Sequence, residues 1–159
     1  MKFPDTLTVL AINSETGMPL VNLAFVIILK ARRKNDYYVG PVSTNQEGRA
    51  SVSRIDCERT IARNQEMFVM DYQDDLSTCK PFVEVRLHLP QHVEVMISQY
   101  ESQPAFWGSA FDDPESMMAE MRRARNSEFE PASRTVSESD LATHPVVTFF
   151  LKRKDQLES

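Results

Sequence analysis

Residues 17–31, Gly-Met-Pro-Leu-Val-Asn-Leu-Ala-Phe-Val-Ile-Ile-Leu-Lys-Ala, join a turn signal to the longest apolar run in the chain. A membrane-spanning helix needs about 20 apolar residues, so this run is too short to cross a bilayer. Its Phe25-Val26-Ile27-Ile28 centre is aromatic and β-branched, which favours a buried strand. Because the apolar residues are nearly continuous, either both faces of that strand are covered or a bulge changes which face points inward.

The flanking residues carry the same β reading. Residues 7–12 form a short β-type run closed by the turn cluster Asn13-Ser14-Glu15-Thr16-Gly17. Residues 37–43 resume the pattern with Gly40-Pro41 inside it, which suits an edge strand. A second turn, 44–49, leads to a strand over 50–55. Asp56 is a good helix N-cap, and Ile61, Asn64 or Gln65, and Phe68 then fall on one helical face. The acidic run Asp71, Asp74, Asp75 has residue types that hold calcium but lacks the alternation and Gly of a calcium loop, and reads as a solvated turn. Beyond it, Val83, Val85 and Leu87 alternate with Glu84 and Arg86, and Val93, Val95 and Ile97 with His92 and Glu94. A hairpin through Leu89-Pro90-Gln91 is therefore predicted.

After Tyr100 the composition changes. Residues 103–111 bring Phe106, Trp107 and Phe111 together in a loop-like setting, and 116–126 reads as a helix with Met117, Met118 and Met121 as its apolar stripe. Residues 127–144, rich in Ser, Glu, Thr and Pro, read as a long surface loop. A last strand follows at 146–151. The expected fold is mostly β: one domain over 1–159, a seven-stranded antiparallel Greek-key β-sandwich, with a helix after the fourth strand and a helical insertion at about 101–145.

Residues 7–53 resemble the first half of transthyretin-like and carboxypeptidase-regulatory-like β-sandwiches. The resemblance rests on Thr16-Gly17-Met18-Pro19-Leu20 before the second strand and Thr44-Asn45-Gln46-Glu47-Gly48-Arg49-Ala50 before the fourth. It implies the sandwich fold and a helix after strand four. One branch of the family hydrolyses 5-hydroxyisourate, and the resemblance would carry its turn arginine to Arg49. Thr8 stands where that branch has a catalytic histidine, and Phe149-Phe150-Leu151-Lys152-Arg153 replaces its closing Tyr-Arg-Gly-Ser. With these departures the resemblance implies the fold rather than that activity.

With 18 basic and 23 acidic residues the formal charge is −5, which gives no general attraction to phosphate backbones or anionic lipid. Neither nucleic acid nor a membrane is expected as partner. The first residues lack the apolar segment of a signal peptide, so a cytoplasmic protein is expected. There Cys57 and Cys79, without CxxC spacing, would stay reduced; in an exported product they would be able to pair. His88 and His92 flank the hairpin link and, with Glu94, are residue types that bind a metal, though a water-facing histidine needs no such role. No nucleophile elbow, phosphate loop or dinucleotide fingerprint occurs, and no cofactor is expected.

Phe106, Trp107 and Phe111 either plug an open end of the sandwich or anchor a partner, and the methionine stripe carries the same alternative. The expected function is a non-catalytic module that binds a protein partner or a copy of itself through 104–125 or an exposed sheet edge. The alternatives are a divergent 5-hydroxyisourate-type or metal-assisted hydrolase and a carbohydrate-binding sandwich.

Overall fold

The computed structural model describes residues 1–31, 36–68, 73–87, 90–105, 113–116, 118–119 and 128–154, excepting the side chains of 67–68, 90–94 and 96. Seven strands lie in these residues: β1 (Thr6–Asn13), β2 (Ala24–Ala31), β3 (Asp36–Ser43), β4 (Arg49–Ser53), β5 (Cys79–Leu87), β6 (Ala132–Ser137) and β7 (Val146–Leu151). They form a three-stranded sheet, β4-β1-β7, and a four-stranded sheet, β3-β2-β5-β6. Leu7, Val9 and Ala11 of β1 and Val147, Phe149 and Leu151 of β7 share one core with Phe25, Ile27 and Leu29 of β2 and Val83, Val85 and Leu87 of β5. Two sheets around one apolar core fit a β-sandwich.

Both expectations for β2 are met. Its pairing shifts register between Phe25 and Ile27 against β3 and between Leu29 and Ala31 against β5. Val26 and Ile28 turn away from the core alongside Arg86 and Glu84, yet are buried. Between them and the strand end, Lys30 reaches Asp36 and Glu84, each at 3.2 Å, and Arg86 also pairs with Glu84. Burial opposes ionisation of both, but these hydrogen bonds prevail, holding Lys30 above and Glu84 below its usual range.

Helix α1 (Arg54–Phe68) follows β4 as expected, but its cap differs. Asp56 donates its N–H to Ser53 Oγ at 3.0 Å while the Ser53 N–H donates to Asp56 Oδ2 at 3.0 Å. Ser53 is thus the N-cap and Asp56 its reciprocal partner one turn in. Cys57 and Ile61, four residues apart, bury the inner face. Both cysteines are free and buried, and burial pushes the Cys79 thiol up to about 11 and that of Cys57 higher still.

Three expectations are corrected. Residues 92–98 are not a strand: they belong to α2 (Pro90–Ser102). A two-residue period would put Val95 and Ile97 on one face, but Val95 is exposed and Ile97 buried. Proline at the first helical position serves a helix start as well as it serves a turn, so Pro90 opens α2 rather than a hairpin. Residues 127–144 are not a long loop, since they contain β6 and α3 (Glu138–Thr143), the latter capped by Ser137 Oγ accepting from the Asp140 N–H. β6, not 92–98, is the antiparallel neighbour of β5. Finally, the sheets are not wholly antiparallel, because β7 runs parallel to β1.

Asp71 of the acidic run lies outside the described residues, and Asp74 and Asp75 are more than solvated surface. Tyr37, buried at the core edge, donates from its hydroxyl to Asp74 Oδ2 at 2.6 Å. Thr78 Oγ1 donates to Asp74 Oδ1 at 2.9 Å, and Asp75 caps a short 3-10 turn, Leu76–Thr78. The hydrogen bond from the Ser77 hydroxyl holds the Asp75 carboxyl below its usual range.

Candidate functional site

In the second of the two turns that support the family resemblance, Thr44, Asn45 and Gly48 have structural roles. Thr44 Oγ1 donates to Leu20 C=O at 2.6 Å and accepts from the Leu23 N–H at 3.0 Å, tying the end of β3 to the β1–β2 connection. Asn45 Oδ1 accepts from the Glu47 and Arg49 N–H groups, and Gly48 takes a φ of +76°. An added Cβ at Gly48 would lie 2.7 Å from Ala11 C=O and 2.9 Å from Pro19 Cβ. This packing brings Pro19 beside Ile12 at the end of β1.

That contact assembles an apolar row on the outer face of the three-stranded sheet. Inward-facing Leu7, Val9 and Ala11 leave Thr8, Leu10 and Ile12 outward. Across β1, Ile12 stands between Pro19 and Phe150, Leu10 between Arg49 and Thr148, and Thr8 between Ser51 and Val146. Phe150 is 67% exposed, the largest exposure among the described bulky apolar residues. Met18, next to Pro19, is also exposed. Single exposed apolar residues are ordinary, but exposed Phe150 and Pro19 flanking half-buried Ile12 beside a sheet edge make a more continuous apolar surface.

Among the described residues, β7 is the strand at this edge of the sheet. The Pro145 C=O accepts from Thr8 N–H and the Leu151 C=O from Ser14 N–H, so odd-numbered residues bond to β1. By the alternation of a parallel ladder, the N–H and C=O groups of Val146, Thr148 and Phe150 point outward. Beyond the strand, Glu130 N–H donates to Lys152 C=O at 3.2 Å and Lys154 N–H to Glu128 C=O at 2.9 Å, with Phe129 bridging Arg153 antiparallel. At Pro131 the chain leaves this edge and enters β6 of the other sheet. Arg134, opposite the buried Val85, reaches back and donates from Nη1 to Thr148 C=O at 2.8 Å.

Of the residues singled out from sequence, Phe106, Trp107, Phe111, Met117, Met121 and His88 lie outside the described residues, as does the side chain of His92. Met118 is buried, so its side chain is not offered to a partner. Thr8, where the resemblance would want an imidazole, hydrogen-bonds Ser51 at 3.3 Å, and Arg49 lies exposed on the same face. Among the described residues no group of three or more His, Cys, Asp or Glu is placed to hold a metal, and no helix is long and apolar enough to cross a membrane. Sequence reasoning missed Phe150 and Arg134. For Phe150 the signal was present, since inward Val147, Phe149 and Leu151 force an aromatic to the opposite face; reading 127–144 as a loop hid Arg134.

Compared with known proteins, the chain matches no family model, no curated protein and no solved structure.

Proposed function

We propose that this protein is a non-catalytic protein-binding module, a transthyretin-like Greek-key sandwich that docks a protein partner on the outer face of its three-stranded sheet. The observation that carries the reading is Phe150, 67% exposed in a row with Ile12 and Pro19. Aromatic side chains in such positions supply much of the binding energy of protein interfaces. The family assignment is supported by the two turns, which precede β2 and β4 as the resemblance requires, and by α1 after the fourth strand. In this reading the insertion around 104–125 is an addition to that scaffold.

A photo-crosslinking phenylalanine analogue placed at Phe150 in producing cells tests this. It should capture one defined protein, identified by mass, while the same group at exposed Ser77 captures none. Capture of the same products from both positions, or none from Phe150, overturns the reading.

A further inference from the structure

We propose that the outer edge of β7 from Val146 to Phe150 is a strand-acceptor site for an extended segment of a partner protein, with apolar residues at alternate positions and carboxylates between them. This rests on the binding-module reading and names how the partner is held. Segment 128–130 already runs antiparallel along the edge, through the Phe129–Arg153 pair. Carried on in that register, the same chain would set Ala132, Arg134 and Val136 opposite Phe150, Thr148 and Val146. Instead it departs at Pro131, which lacks an N–H, and pairs with β5. A short stretch of the position beside β7 is therefore begun by the chain's own backbone and, among the described residues, continued by one side chain. Arg134 supplies to Thr148 C=O the donor that a backbone N–H would have given.

Natural sheets blunt exposed edges with proline, charge or bulges, and β7 carries none: it reads Val-Val-Thr-Phe-Phe-Leu. An arriving strand would gain backbone hydrogen bonds to Val146, Thr148 and Phe150, and its outward side chains would extend the apolar row at Phe150. Its inward residues would face Arg134, displaced from Thr148 C=O.

Charge selects the occupant. Arg134, Lys152 and Lys154 lie along this edge; Glu128 is engaged by Arg153 at 3.0 Å, leaving Glu130 as the further described carboxylate on the segment. A second copy pairing antiparallel about Thr148 would set two Arg134 guanidinium groups against each other, whereas acidic residues in a foreign strand would meet them favourably.

The full chain, isotope-labelled, is titrated with acetyl-Val-Glu-Val-Glu-Val-amide and with the matching lysine peptide. The acidic peptide should saturably shift the Thr148 and Phe150 amide resonances and bind about tenfold more tightly than the basic one. Arg134→Glu should bring that ratio to about threefold or less. Thr148→Pro, which removes an outward N–H from an edge strand, should abolish binding while the circular dichroism spectrum is unchanged. Equal binding of the two peptides, or no shifts at β7 with either, overturns the proposal independently of whether Thr148→Pro folds. Self-association of the unmodified protein, seen by ultracentrifugation and abolished by Thr148→Pro, would assign the edge to a second copy and overturn the occupant. If Thr148→Pro folds and Phe150 still crosslinks its partner, strand addition fails while the binding-module reading stands.

Discussion

Replacing Gly48 by valine should lower the stability of this protein by about 3 kcal/mol or more, because two penalties act at one atom. A non-glycine residue in the left-handed region costs on the order of 1–3 kcal/mol. At Gly48 the new Cβ would also press on Ala11 C=O at 2.7 Å, a backbone atom that is already bonded to the Leu20 N–H and cannot give way freely. Gly17 separates the two causes. It has a similar φ of +73°, but a Cβ added there would meet nothing within 4 Å, so Gly17→Val should show the strain alone. Thermal midpoints compare them: for a domain of this size each kcal/mol is worth about 2–4 °C, so Gly48→Val should melt about 10 °C below the parent. Equal losses at both glycines would mean that the turn over 44–49 does not press on β1 as described.

The largest core effect is expected at Phe149. Its ring lies 5.1 Å from that of Phe25, centroid to centroid, across the space between the sheets, and it is almost wholly buried. Phe149→Ala should cost about 3–5 kcal/mol from lost burial and the cavity left behind. The neighbouring residue is its control. Phe150 faces solvent, so Phe150→Ala should change stability by no more than about 0.5 kcal/mol. Denaturant midpoints measured on both variants check the contrast, and comparable losses would mean that Phe150 is packed rather than presented.

These adjacent phenylalanines also show how much of the structure was legible in the sequence. Over Val83–Leu87, where apolar and polar residues alternate, the strand and its inward face followed from period, whereas over Leu7–Ile12 a β-type run beside a recognisable turn identified the strand but not its inward face. The same rule misread Val93, Val95 and Ile97, because β-branched residues record a fit to a half-buried surface rather than a backbone preference. β6 was hidden for the opposite reason. Ser133, Arg134 and Thr135 have no apolar alternation, and it is pairing with β5 that makes them a strand. Arg134 was therefore beyond sequence reasoning altogether: its role depends on a chain that changes sheets at Pro131, which only the three-dimensional arrangement reveals.

Residue-resolved amide hydrogen exchange along β7 tests most directly the claim that this edge is open. The N–H groups of Val147 and Phe149 point into the ladder with β1, while those of Thr148 and Phe150 point away from it. Thr148 and Phe150 should exchange orders of magnitude faster than their two neighbours in the isolated protein, and slow on addition of the acidic peptide. Uniform protection of all four amides before any partner is added would contradict the account, because the edge would then already be filled.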